Sequence, residues 1–436
     1  MPIPSLQGLQ TALSGLIAEQ TALDTTGNNI ANANTEGYTR ETALLEPQEP
    51  LTIPALSSNT GLGAQLGTGV SVTTITRIRN EYLDAQYRSQ NSSLSAATAD
   101  AEVLEQAQSA FNEPSSAGIA SQLSNFWSAW NTLATYPASE EAKEAVAAAG
   151  TQLAATVNQL SGQLSTISSQ VSEQYEALTG PSGEVAGIAE QVAQLNGQIK
   201  LSEEAGTPPN EMLDRRDLLL DKLSSLANIT VTEEPDHTDT VSFGEAAKPL
   251  VQGTKVNWPQ ELTESSGGRL GALLALRGPQ GALTQLQTGL DGVAQTLAST
   301  VNEHLAKPFF SGVGAATLAV AVKSAEVQAS GTEFAGDNKV AQAIAALRGG
   351  AAEQDYAALV EKVGNDVQTA KNDESSLQTT VTAINDQRQS VSGVSLDEEM
   401  TNLITFQRGY QASARTLTAM SEMLETLIEH TGVVGL

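Results

Sequence analysis

Ser14–Arg40, SGLIAEQTALDTTGNNIANANTEGYTR, joins two kinds of sequence in one stretch. Extended back to Leu6, its apolar positions are Leu6, Leu9, Leu13, Leu16, Leu23 and Ile30. They alternate by three and four residues, with Gln20 and Gly27 in the two remaining slots. That spacing predicts a helix with one narrow apolar seam of coiled-coil type rather than a broad core face. The second half carries Asn28, Asn29, Asn32, Asn34, Gly37 and Tyr38. Asparagine bonds its own backbone and glycine tolerates positive φ, so this half reads as a polar exit from the helix. Its expected role is a hinge, its residues chosen for backbone freedom rather than chemistry.

A matching helix lies at the other end. Leu396, Met400, Leu403, Tyr410, Ala414, Leu417, Leu424 and Ile428 hold the same 3-4 spacing, with Gln407 and Ser421 as polar slots. Ser392 and Gly393 separate it from the interior. Isolated single-seam helices are marginal in water, so both ends are expected to be mobile in the monomer and to order on assembly.

Between these ends the pattern is mostly helical. Leu83, Tyr87, Leu94, Ala97, Ala101, Leu104 and Phe111 define one face of a helix over 80–111. Phe126, Trp127, Trp130 and Leu133 form the richest aromatic patch, read as a packing plug between helices. Val146, Leu153, Val157, Leu160, Leu164, Ile167, Val171 and Leu178 keep heptad spacing through a long helix. Shorter helices over 185–199 and 211–226 follow, divided by Gly/Pro turns. Short strand-like pieces occupy 229–258, and helices return over 270–304, with a kink at Gly278-Pro279, and over 352–391. The expected fold is mainly α: an elongated antiparallel helical bundle, with a coiled coil formed by both chain ends and small β-rich insertions. Its expected domains are 1–40 plus 395–436 as terminal assembly helices, 41–228 plus 267–394 as a helical rod, and 229–266 as a small β-rich outer insertion.

Composition excludes several classes of function. The net charge of −28 and pI near 4.3 disfavour nucleic acid, which needs a concentrated basic face. No apolar run approaches the ~20 residues that span a bilayer. Cysteine is absent, so packing or assembly must stabilise the chain. The first basic residue is Arg40 and no unbroken apolar run precedes it, so no cleavable secretory signal is expected. The glycines at 61–69 precede a β-branched strand instead of a helix, which excludes a phosphate loop. His237, His304 and His430 lack metal-ligand spacing, and no nucleophile elbow occurs. No catalytic residue, metal or cofactor is expected. The charged run Asp214-Arg215-Arg216-Asp217 is expected to form i,i+3 or i,i+4 pairs along its own helix.

The string Asn28-Asn29-Ile30-Ala31-Asn32-Ala33-Asn34-Thr35-Glu36-Gly37-Tyr38-Thr39-Arg40, preceded by Ser14-Gly15-Leu16 and Ala22-Leu23, closely resembles the N-terminal signature of the flagellar axial proteins. Those are the rod, hook and hook-associated subunits of the bacterial flagellum. Ser392-Gly393-Val394-Ser395-Leu396-Asp397-Glu398-Glu399-Met400, with Phe406-Gln407 and Tyr410-Gln411-Ala412, resembles the hook-associated protein 1 family more narrowly. So does Pro209-Asn210-Glu211-Met212-Leu213-Asp214-Arg215-Arg216-Asp217. The resemblance implies a structural subunit at the junction between hook and filament, not an enzyme. It implies a homo-oligomeric ring, with the hook protein, a second hook-associated junction protein, an export chaperone and the type III export apparatus as partners. It further implies an extracellular place in the flagellum, with neither nucleic acid nor membrane insertion. The competing readings are another axial subunit of hook or rod, a filament-borne adhesin or enzyme, and a coiled-coil translocator. The last should lack the Asn-rich signature at 28–40.

Overall fold

The computed structural model describes residues 4–53, 64–244, 248–330 and 336–430. The side chains of Leu6 and His430 and the glycines at 61–63 lie outside the described residues. Helix α1 (Pro4–Asn32) leads into a long hairpin, in which β1 (Glu41–Pro47) pairs with β4 (Val70–Arg77) and β2 (Leu51–Ile53) with β3 (Ala64–Leu66). The Asn80 side chain accepts the Tyr82 and Leu83 N–H groups and starts α2 (Glu81–Phe111), which ends at Asn112 in the left-handed region. Helices α3 (Ile119–Thr135), α4 (Glu140–Thr179), α5 (Glu184–Glu204) and α6 (Asn210–Leu226) follow. Ser139 caps α4 through the Ala142 N–H, and its 40 residues reach about 60 Å.

The strand-like pieces form one antiparallel sheet of β5 (Ile229–Glu233), β6 (Asp239–Phe243), β7 (Val251–Gln252) and β8 (Lys255–Val256). Helices α7 (Gly268–Arg277) and α8 (Ala282–Asn302) come next, then the short pair β9 (Phe310–Ser311) and β10 (Ala319–Val320). Helices α9 (Lys339–Ala345), α10 (Ala351–Ser392) and α11 (Leu396–His430) complete the described chain. The fold is mainly α-helical, with small sheets. The expected kink at Gly278-Pro279 is instead a full break between α7 and α8. Pro279 cannot donate to Ala275, and a Cβ on Gly281 would stand 2.3 Å from the Ala275 and Leu276 carbonyl oxygens, so only glycine lets the chain reverse there.

The larger core lies among α2, α3, α4, α7, α8 and α10. The aromatic patch plugs it: Phe126 and Trp130 pack on Phe309 at 5.6 and 5.7 Å between ring centroids, and Phe310 lies 5.4 Å from Phe126. α2 and α10 run antiparallel, with Thr98 bonded to Glu374 and Tyr356 to Glu113. A second core joins α5 and α6 to the sheet through Val192, Leu195, Leu220, Leu223, Val241, Phe243 and Val251. Segment 229–256 is thus packed onto the helices by its own apolar face.

One ionic contact crosses from α6 to that sheet. Arg216 and Asp239 pair at 2.9 Å, both side chains buried, and Asn196 of α5 bonds Arg216 and the Asp239 N–H. Burial pushes the Asp239 carboxyl up to about 6 despite Arg216, and burial pulls the Arg216 guanidinium down. A carboxyl raised in the fold contributes stability that is present below its unfolded pKa and lost as pH rises through the folded value. Amides of β5 and β6 should therefore exchange more slowly at about pH 5 than at about pH 7.5 once intrinsic rates are corrected. The Asp239→Asn chain should lose that slope.

Candidate assembly interface

α1 and α11 run antiparallel along one another, and glycines set their approach. A Cβ on Gly8 would lie 2.5 Å from Met420 Cε, one on Gly15 3.1 Å from Ser413 Oγ, and one on Gly409 2.5 Å from the Glu19 carboxyl. The buried residues of α1 are Ala12, Ala18, Ala22, Thr25, Thr26 and Asn29. The leucine seam is therefore not the line along which the two helices meet. The contact runs one residue earlier in the same heptad, through Gly8, Ala12, Gly15, Ala22, Thr26 and Asn29. Small side chains let two backbones close together, whereas a leucine line would hold them apart.

The seam leucines flank this contact. Leu9, Leu16, Leu23 and Ile30 are half-buried, and Leu13 is 47% exposed. On α11, Leu403, Tyr410, Ala414, Leu417 and Leu424 are half-buried facing α1. Leu396, Met400 and Ile428 are instead 50%, 58% and 76% exposed. Ile17 of α1, Ile404 and Met423 of α11, and Leu44, Leu45, Leu51 and Leu66 of the hairpin add to the uncovered apolar surface.

The Asn-rich stretch departs most from its sequence reading. Asn28, Asn29 and Asn32 lie inside α1, which continues to Asn32. Asn32 donates to the Asn28 side chain and carbonyl, so its amide supports the last turn instead of breaking it. Asn29 is buried and fully bonded. Its amide donates to the Glu41 carbonyl at 2.9 Å and to Glu399 at 3.1 Å, and its oxygen accepts from the Glu41 N–H at 2.9 Å and the Tyr38 hydroxyl at 2.8 Å. One side chain thus ties α1, β1, the signature loop and α11 together. Asn34 is exposed. Gly37 is in the left-handed region at φ 81°, against Leu218 of α6, as its expected freedom requires.

Tyr38 sits among carboxylates, and its hydroxyl is raised above the usual phenol range by burial and then by Glu41, Asp214 and Glu399. It stays a neutral donor to Asn29. Replacing Asn29 by leucine leaves four bonding groups without their partner, and about 2–3 kcal/mol of local stability should go with them. Faster hydrogen exchange in residues 33–41 and in the first turns of α11 would show it.

The clasp continues into the rod. The Thr39 N–H donates to Asp214 at 2.9 Å, the Arg40 N–H to the Ser392 carbonyl at 2.9 Å, and the Arg40 guanidinium to Glu398 at 2.6 Å. Asp214, Asp217 and Asp221 occupy one face of α6, and they bind arginines from elsewhere instead of pairing along the helix. Arg77 of β4 bonds Asp214 and Asp217 at 2.8 Å each. Arg79 holds Asp84 and Asp217. Arg88 of α2 holds Asp217 and Asp221 at 3.0 and 2.8 Å. Arg388 of α10 holds Asp84 and Asp221 at 2.7 and 2.9 Å, and lies over the Tyr87 ring. Local pairing loses because the i, i+3, i+7 spacing aims all three carboxylates at one side, where the arginines converge.

Over 508 aligned positions, 31% of residues are identical to "Flagellar hook-associated protein 1" of Bacillus subtilis, covering 99% of each chain. The chain belongs to the flagellar hook-associated protein 1 family. The alignment is longer than the 436 residues of this chain, so that relative carries segments absent here. The namesake of Escherichia coli is 25% identical, over 96% of this chain and 99% of its own. The family model "Flagellar hook-associated protein FlgK helical domain" matches residues 104–265. A solved structure titled as that of the flagellar hook junction protein FlgK from Burkholderia pseudomallei matches 50% of this chain and 43% of its own, at 26% identity and a TM-score of 0.45.

Two more models fall on the interface. "Flagella basal body rod protein" matches residues 9–39, which take in α1 and the signature loop of this hook-associated chain. "Flagellar basal body rod FlgEFG protein C-terminal" matches residues 386–429, from just before Arg388 through α11. Sequence reasoning gave no contact role to Gly8, Ala12, Gly15, Gly409, Glu399 or the four arginines. A line of small residues at heptad spacing beside the leucines was the available signal for the close approach. Nothing in the local sequence marks which arginine meets which aspartate. Among the described residues no helix is long and apolar enough to cross a membrane.

Proposed function

We propose that the chain is a structural subunit of the junction between hook and filament. The whole-length similarity to hook-associated protein 1 chains carries this reading. Identical copies form a ring, with hook protein on one side and a second hook-associated junction protein on the other. The uncovered leucines, isoleucines and methionines of α1, α11 and the β1–β4 hairpin are the faces that neighbouring subunits bury. Each such side chain contributes about 1.5–3 kcal/mol on full burial, which offsets the entropy of ordering the chain ends. The chain reaches this place through the flagellum's own export apparatus, its terminal helices kept from association by an export chaperone. The end segments resemble rod proteins as well, but the match over 104–265 is to a hook-associated helical domain and favours the junction over rod or hook.

A strain lacking the chain should build hooks and shed its filament subunits into the medium. The full chain should restore filaments, while one lacking residues 395–436 should keep its helical middle, by circular dichroism, and fail to restore them. Filament attachment by the shortened chain would overturn the proposal.

A further inference from the structure

The α1–α11 contact holds a group that ordinary helix packing would avoid. Glu19 lies half-buried in the contact between the two helices, its carboxyl beside Gly409. Its Oε2 is buried and has no hydrogen-bond partner. The neighbouring layers are neutral and small, with Gly15 against Ser413 on one side and Ala22 buried on the other. A buried carboxylate oxygen without a donor destabilises the contact that encloses it.

Among the described residues no counter-charge relieves it. The cations that α11 carries near this level, Arg408 and Arg415, are exposed. Arg77 of β4 is held by Asp214 and Asp217, and Glu399 by Asn29. Asp397 and Glu398 lie beyond Glu399, at the Asn29 end, and Glu422, Glu425 and Glu429 lie past the Met420–Gly8 layer. Glu41 and Glu46 of β1 are acids, and the rise in the Glu19 carboxyl has burial as its cause.

We propose that Glu19 is a built-in weak point of the terminal helix pair: ionised, it keeps α1 and α11 readily separable, and neutralised by a proton it lets them close. The sign follows from the geometry. A carboxyl that the fold makes harder to ionise stabilises the pair at low pH, and that stability is lost as pH rises through its folded value. A pair that is loose at neutral pH can exchange its helix partner without unfolding the rod, because the Asp–Arg cluster holds β4, α2, α6 and α10 independently of it.

Hydrogen exchange on the full-length chain tests this, read on peptides from 8–26 and 403–420 and corrected for intrinsic rates. Wild-type protection should be roughly fivefold or more higher at about pH 5 than at about pH 7.5. Glu19→Gln, nearly isosteric and always neutral, should show the higher protection at both pH values. Glu41 is also raised by burial and shares the direction of the pH effect, so the wild-type/Glu19→Gln difference is the decisive quantity. Equal protection of the two chains at about pH 7.5, or an unchanged pH slope in Glu19→Gln, would each overturn the proposal.

Discussion

Replacing Asp217 by alanine is expected to cost about 3–5 kcal/mol, the range for removing one member of a buried charge network. Asp217 bonds Arg77, Arg79 and Arg88 at once, drawing β4, the segment before α2 and α2 itself onto α6. Without it, three guanidiniums on enclosed side chains retain only Asp214, Asp84 and Asp221, which Arg77, Arg79, Arg88 and Arg388 must share. Burial alone would raise the Asp217 carboxyl, but Arg79, Arg77 and Arg88 outweigh it and hold it below the ordinary range. Its stability is therefore present above the usual carboxylate pKa and lost as pH falls through the depressed value. The loss in Asp217→Ala should be full at neutral pH and shrink in acid. Urea unfolding at about pH 7 and about pH 3 would measure both, together with faster exchange of β4, α6 and the first half of α2.

Trp130→Ala is expected to remove a similar ~3–5 kcal/mol, for a reason with no charge in it. Trp130 is fully buried and packs edge-on against Phe126 and Phe309. The methyl that remains leaves a large void among aromatic rings that cannot collapse, because Phe309 and Phe310 are pinned by Asn302 through their backbone N–H groups. The control is Trp130→Phe. The Trp130 indole N–H is buried without a partner, so deleting it with part of the ring volume should cost less than about 1.5 kcal/mol. A Trp130→Phe loss equal to that of alanine would mean that the indole nitrogen finds a partner in solution.

The helical rod was largely legible in the chain. Heptad spacing from Val146 to Val171 marks residues that are buried in α4, and the plug at Phe126, Trp127 and Trp130 was identified as packing. The interface was legible in part. The terminal helices and the freedom of Gly37 could be read, but the buried line was placed one residue away from where it lies. Leucine is the stronger hydrophobic signal, yet close approach selects for the absence of side chain, which a hydrophobic pattern cannot weigh. Asn29 was misread for a related reason. Asparagine favours turns on average because its amide competes with its own backbone, but here the backbone of Glu41, the Tyr38 hydroxyl and Glu399 satisfy that amide.

What the sequence alone determined is most of the helices, the Gly/Pro turns that divide them, and the family. Those follow from periodicity, from Gly, Pro and Asn chemistry, and from an ordered string of residues at each end. The tertiary structure decided which face of α1 meets α11, which arginine meets which aspartate, and that Glu19 lies beside Gly409. Apart from Arg79–Asp84, these contacts join residues from about 130 to just over 400 positions apart, and the geometry of the whole fold selects among many chemically equal partners. The Asn-rich run at 28–40 shows both sides: its ordered residues resemble the flagellar axial signature, and only its surroundings turned it from a hinge into a clasp.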